Sequence, residues 1–386
     1  MTVEVHYIGH LGNNMFEYAL GRILAETHGL ALRCIPANEQ SGGFSSVERA
    51  SGIVDRLNLL AAVFNDARQM LPGKNVDAPQ IRYVIGEKQG WTGHGINLDE
   101  LLRNGGSNRI VLNGFFQRTE YYHPYRGLIR NWFKFKENVT SVPLQPRDVI
   151  VHMRQSLDMF MFDRAIDLKY YETLLSGISL GGKVYVCGLG LSEEVRATLA
   201  PFKPIYVDLS AIETLKLLTQ ANRIVMANST FSWWGAYLSE ADEIYFPRMV
   251  RNFWGKDRPD VNLEVPEERY HYMNDVPVRS WRPFRLMPDV QLTLDYRQKA
   301  ECVIQIGTGA NGVELLVPAE LKGFSQWLAA SGSIPFGMHE IHAHGLSASG
   351  RRSAIRILLA LHRYGALKAE QIVMKSIAEF HGVSLG

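Results

Sequence analysis

Residues 2–9 (TVEVHYIG) alternate apolar and polar side chains, the period-two signature of a strand. The loop HLGNN (10–14) follows. Met15, Phe16, Ala19, Leu20, Ile23 and Leu24 then recur at helical spacing as far as Gly29, a suitable helix stop. LALRCI (30–35) returns to strand character, so the chain opens as a βαβ unit. A helix over 52–64, a strand over 109–117 (RIVLNGFFQ) and an aromatic-rich helix over 119–135 complete a first lobe, and VTSVPLQP (139–146) reads as a linker.

The second lobe has a clearer rhythm. DVIVHMR (148–154), KVYVCG (183–188), PIYVDL (204–209), RIVMANS (223–229) and DEIYFP (242–247) are short β-branched or aromatic runs. Helical patterns over 169–178, 191–201, 211–221 and 233–240 separate them, and Ser210 with Glu213 forms the S-x-x-E start of one helix. Strands alternating with helices predict an α/β protein with parallel sheets covered on both faces. Beyond 285 the style changes: 302–318 reads as a hairpin turning near Ala310–Gly312, and 352–380 as one or two helices. The expected division is 1–145, 146–284 and 285–386, the last an α+β appendage of unknown role.

A length of 386 residues exceeds one ordinary core, which agrees with two domains and an appendage. A formal net charge of +2 gives no bulk footprint for nucleic acid. Cys34, Cys187 and Cys302 are scattered and odd in number, which favours a reducing, cytoplasmic setting over a disulfide framework. No apolar run reaches the roughly 18 residues a membrane span needs, so any membrane contact is expected to be peripheral, at the inner face.

Candidate chemistry concentrates at three strand-to-helix turns. NSTFSWWGAYL (228–238) places Asn228, Ser229, Thr230, Phe231 and Ser232 where a helix begins. Amides and hydroxyls there suit a phosphate, with Trp233 and Trp234 holding the turn rigid; side-chain capping is the plainer alternative. GHLGNNMF (9–16) offers His10, Gly12 and Asn13 at the head of another helix. VHMRQSLD (151–158) ends a buried strand with Arg154, whose charge needs a partner, and His152 shares its face. A diphosphate would satisfy Arg154, as would a structural carboxylate. VCGLGLSEE (186–194) with Asp208 imitates a dinucleotide fingerprint, but Glu193 occupies the third glycine position and opposes a pyrophosphate. MHEIHAHG (338–345) lacks metal-ligand spacing and reads as a polar loop.

These turns coincide with the motifs of a known family. The chain resembles the bacterial α-1,2-fucosyltransferases and, more distantly, other GDP-fucose-dependent transferases, over roughly residues 1–250. The family's G-x-L-G-N-Q-M-F-Q-Y-A is matched by GHLGNNMFEYA (9–19), with Asn14 and Glu17 replacing two glutamines. Its N-S-T-F-S-W-W-G-A-W-L is matched at ten of eleven positions by 228–238. Its H-x-R-R-x-D is matched in part: Arg154 is kept, Gln155 replaces the second arginine, and the acid comes one place late as Asp158.

The resemblance implies a GT-B-like architecture of two Rossmann-like lobes. It also implies an inverting transfer of fucose from GDP-fucose to a glycan hydroxyl. The implied catalytic set is Arg154, Asn13, Asp158 and His10, and the implied donor-binding set is Gly12, His152, Asp208, Asn228, Ser229, Thr230, Phe231 and Ser232. The base is open among Asp158, Asp163 and His10. No cofactor is implied beyond the donor substrate, and the absence of any D-x-D argues against a metal-held diphosphate. Gln155 removes one cation, which leaves another nucleotide sugar, or a catalytically silent glycan-binding protein, as alternatives.

Overall fold

A computed structural model describes residues 2–7, 9–35, 64, 80–82, 109–137, 139, 141–161, 164–249, 261–279, 284–286, 292–297, 301–306, 313–331, 334–363, 366–369, 371–380 and 383. They fall into two compact units. The first lies within Met1–Gly42, Val54–Ser156 and Arg164–Val278, the second within Gly43–Ile53, Leu157–Asp163 and Arg279–Gly386.

The first unit holds two sheets. β1 (Thr2–His6), α1 (Leu11–Thr27) and β2 (Ala31–Ile35) form the expected βαβ unit. With β3 (Gln80–Arg82) and β4 (Arg109–Asn113) the strands make a four-stranded parallel sheet in the order β2-β1-β4-β3. Gly29 closes α1 with a φ of +65°, as its position suggests. The expected loop at 10–14 is instead the first turn of α1, which begins at Leu11. Nor is α1 amphipathic in the usual way, since every residue from Leu11 to Ala25 is buried. The reason is that both of its faces are covered. Gly21 sits against Val5 of the sheet, while Phe16 packs against Trp233 and Trp234 on the other side. The expected strand over 109–117 stops at Asn113, and Phe116, three residues further on, has a φ of +49°. The expected helix over 119–135 resolves into two single turns and a short α2 (Arg126–Trp132). The helix expected over 52–64 lies outside the described residues.

The second sheet is built from β5 (Val149–Arg154), then, past α3 (Leu157–Met161) and α4 (Leu168–Gly177), β6 (Val184–Leu189), α5 (Glu193–Leu199), β7 (Ile205–Tyr206), α6 (Ala211–Gln220), β8 (Arg223–Val225), α7 (Thr230–Leu238), β9 (Glu243–Met249) and β10 (Tyr270–Val276). All its ladders are parallel, in the order β10-β9-β8-β5-β6-β7. This is the doubly wound order, in which the chain reverses direction between β5 and β8; ligands of such sheets bind at the strand ends beside that reversal. The capping box of Ser210 and Glu213 is present. α7 begins at Thr230, three residues before the expected start. At its far end, Arg126 and Arg130 of α2 and Arg269 of β10's approach donate to the carbonyls of Tyr237, Leu238 and Ser239, placing cations at the negative end of the helix.

The dinucleotide-like loop has a structural explanation. Gly188 and Gly190 have φ values of +121° and +73°, and an added Cβ would lie 1.9 Å from the Met153 carbonyl oxygen and 2.0 Å from that of Gln155. These glycines let β6 approach β5, and no ligand is needed to account for them. Glu193 and Glu194 occupy the first turn of α5 and oppose an anion there.

The second unit contains the expected hairpin, β13 (Glu301–Ile306) with β14 (Val313–Val317), extended by β12 (Leu292–Arg297) into an antiparallel sheet. β11 (Arg285–Leu286) pairs with β15 (Leu367–Lys368). α8 (Lys322–Ser331), α9 (Met338–His342), α10 (Ala348–Arg363) and α11 (Gln371–Phe380) share a core with Phe284, Val317, Phe324 and Leu358 at its centre. The polar loop expected at 338–345 begins as helix α9. No described helix is long and apolar enough to cross a membrane.

Replacing Gly188 by alanine combines a left-handed φ with a backbone collision. It should lower unfolding stability by about 2–4 kcal/mol, read from the urea midpoint.

Candidate active site at the sheet switch points

The C-terminal end of β5 carries His152 and Arg154 on one face, and β8 beside it leads through Met226–Ala227 into Asn228 and the start of α7. Ser229 is the N-cap residue of α7, yet its side chain makes no capping bond, and the helix has no acid in its first turn. α4, α5 and α6 are instead capped by Asp167, Ser192 and Ser210. The capping alternative therefore does not account for the hydroxyls of the 228–238 motif.

Each side chain of the motif has a distinct task. The Ser232 hydroxyl accepts from the Ala227 amide at 3.1 Å and is fully buried. Thr230 Oγ1 donates to Asn13 Oδ1 at 3.1 Å. Both were expected to face a ligand; both are engaged within the protein, because the first turn of α1 lies directly on the first turn of α7. Asn228 donates to the carbonyl of Arg164 at 3.0 Å. Phe231 places its ring 5.5 Å from that of His152. Trp233 and Trp234, 100° apart around the helix, point to different partners. Trp233 Nε1 donates to the Leu263 carbonyl at 2.7 Å, and Trp234 Nε1 to the Gly12 carbonyl at 2.9 Å.

Gly12 is required by this contact. An added Cβ would lie 2.5 Å from the Phe231 amide nitrogen and 2.7 Å from Thr230 Oγ1. Asn13 binds the two sheets together, since its Oδ1 also accepts from Gln117 Nε2 at 3.1 Å, on the loop that follows β4. In the first sheet β1 and β4 are the strands between which the order reverses. The site thus joins two switch points, with two helix N-termini in contact. Gln117 was not among the expected site residues.

Several polar atoms here are buried without a protein partner: His152 Nδ1, Asn228 Oδ1 and Ser229 Oγ. Burial, reinforced by the nearby Arg154 guanidinium, pushes the His152 imidazole down to about 3, so the ring is neutral at physiological pH. Gln155 is buried and donates to the Ile166 carbonyl at 2.8 Å, which keeps its amide within the protein. His10 is the N-cap residue of α1 and makes no side-chain capping bond. Asp158 belongs to α3, in the second unit. Asp208 is exposed after β7, the edge strand two ladders from β5, roughly 10 Å away at ordinary strand spacing. Asp163 lies outside the described residues. Cys34 and Cys187 are buried free thiols, pushed up to about 12 by burial, and neither is poised as a nucleophile.

Because folding lowers the His152 pKa from 6.5 to about 3, the unfolded chain binds the extra proton between those values. Stability is then retained above pH 6.5 and lost as the pH falls toward 3. Relative to a His152→Gln variant, the native chain should lose stability over this window with a slope on the order of 1.4 kcal/mol per pH unit, and none above pH 7. Denaturant titrations across pH check this.

Comparison with known proteins bears on the same residues. Residues 203–254, which run from β7 through α7 and β9, match the model of glycosyl transferase family 11. The chain is 22% identical over 298 residues to a galactoside alpha-(1,2)-fucosyltransferase 2 of Rattus norvegicus, covering 69% of this chain and 74% of that protein. Among solved structures, the fucosyltransferase NodZ from Bradyrhizobium aligns with a TM-score of 0.38 and 13% identity, covering 63% of this chain and 94% of that one. The E. coli heptosyltransferase WaaC with ADP aligns with a TM-score of 0.35 and 13% identity, covering 66% and 89%. The segment that leads into the second switch point matches the glycosyl transferase family 11 model, and on that match and the similarity to the rat enzyme the chain is a glycosyltransferase.

Proposed function

We propose that the chain transfers fucose from GDP-fucose to a glycan hydroxyl, with inversion at the anomeric carbon, and that a terminal galactoside is the acceptor class. The observation that carries this reading is the set of unpartnered buried polar atoms, His152 Nδ1, Asn228 Oδ1 and Ser229 Oγ, beside Arg154 and the uncapped N-terminus of α7. Buried polar groups without partners are rare, and here they gather at the sheet's switch point. The similarity to a galactoside fucosyltransferase supports both the donor and the acceptor class.

In the proposed mechanism the acceptor oxygen attacks the anomeric carbon as its bond to the β-phosphate oxygen breaks, and both bonding electrons leave with GDP. The growing charge on the diphosphate is met by the Arg154 guanidinium, by the amides of the α7 first turn and by the Ser229 hydroxyl. Neutral His152 supplies a hydrogen bond without adding charge. Asn13 holds the α1 turn in place, and Gly12 allows that turn to reach the donor site. No metal is required in this scheme, in keeping with the lack of a D-x-D sequence.

Gln155 favours a second reading. With its amide committed to Ile166, the diphosphate meets one strand-end arginine where the resembling family has two. A different nucleotide sugar would also be consistent with that loss.

Millimolar GDP, with EDTA present, should raise the melting temperature by a few degrees, as expected when ligand is near a hundredfold above Kd. Arg154→Ala should abolish the shift, and UDP and ADP should give less. A larger shift with UDP, or none with GDP, would overturn GDP-fucose as the donor. Binding of glycan with no turnover of any donor would support the silent alternative.

A further inference from the structure

His6 and Glu4 form a histidine–carboxylate pair that neither the motifs nor the comparisons assign. Glu4 lies in the middle of β1, an interior strand of a parallel sheet, and is fully buried. A carboxylate in that position is costly unless something holds it. His6 Nε2 lies 2.7 Å from Glu4 Oε1. The histidine side chain is 28% exposed and its residue ends β1, so the ring stands at the C-terminal edge of the sheet, where the strand order reverses toward β4. Val5 faces α1 through Gly21, so Glu4 and His6 face the opposite side of the sheet. In register with Glu4 are Arg33 on β2, the charged neighbour on that side, and Val111 on β4.

Building on the proposed fucosyl transfer, we infer that His6 is the general base that deprotonates the acceptor hydroxyl and that Glu4 is its positioning residue. Glu4 accepts the Nε2 hydrogen, which fixes the tautomer and leaves Nδ1 as the basic nitrogen. As the acceptor oxygen bonds to the anomeric carbon, its proton passes to Nδ1, while the bond to the leaving GDP breaks and takes its electron pair. Glu4 then stabilises the imidazolium that forms, the same division of labour as in a serine-protease histidine–aspartate pair. His10 is less suited to the role. A protonated imidazole at the N-cap of α1 would face the positive end of that helix.

The test uses the full-length chain with GDP-fucose and N-acetyllactosamine, with donor hydrolysis by water followed in parallel. His6→Gln should lower kcat at least 100-fold, and Glu4→Gln about 10-fold, with GDP affinity within twofold of the parent for both. The acid limb of the pH–kcat profile should vanish in His6→Gln and move in Glu4→Gln. A purely structural pair would lower the melting temperature and change GDP binding without moving that limb. Retention of kcat within threefold by folded, GDP-binding His6→Gln overturns the assignment and leaves the transferase reading intact. Failure of the parent to bind GDP or turn over GDP-fucose overturns both.

Discussion

The first unit depends on one contact, the seating of the first turn of α1 on the first turn of α7. Asn13 Oδ1 accepts from Thr230 of α7 and from Gln117 of the β4 loop, and Trp234 reaches across to the Gly12 carbonyl. α1 buries every face from Leu11 to Ala25 because one side belongs to its own sheet and the other to the tryptophan-bearing helix. The aromatic cluster of Phe16, Tyr122, Trp233, Trp234 and Tyr237 fills the space behind the two turns. The contact is therefore apolar at the back and polar at the front.

Electrostatics gives that arrangement a cost and a use. Each helix N-terminus carries roughly half a positive charge, so two in contact repel, and neither is relieved by a side-chain cap or a first-turn acid. Arg154 adds a full positive charge at the end of β5, and the neutrality of His152 limits the total. An anion beside the two turns would lower the energy of the whole group. The arginines at the opposite end of α7 complete the helix's electrostatic logic and anchor it to α2.

Much of this was legible in the sequence. Alternation and helical period located the parallel strands, the βαβ opening and the C-terminal hairpin, and the NSTFSWWGAYL run pointed to the turn where unpartnered polar atoms are buried. Boundaries near the site were harder to read for a shared physical reason. Residues 11–14 and the turn at 230–232 are both first turns of helices, but their polar residues are buried by a contact distant in sequence, and polarity on a chain looks like a loop. For the same reason Thr230 and Ser232 looked like ligand donors when each already has a partner. Gln117 and the Glu4–His6 pair left almost no trace, since alternation assigns a face to a strand residue without saying what meets it.

The most direct test of the α1–α7 contact is a double-mutant cycle between Asn13→Ala and Thr230→Val, measured on unfolding stability and on GDP affinity. If the contact organises the site, the pair should couple by about 0.5 kcal/mol or more in both quantities. Additivity in stability, or a GDP affinity unmoved by either variant, would contradict it.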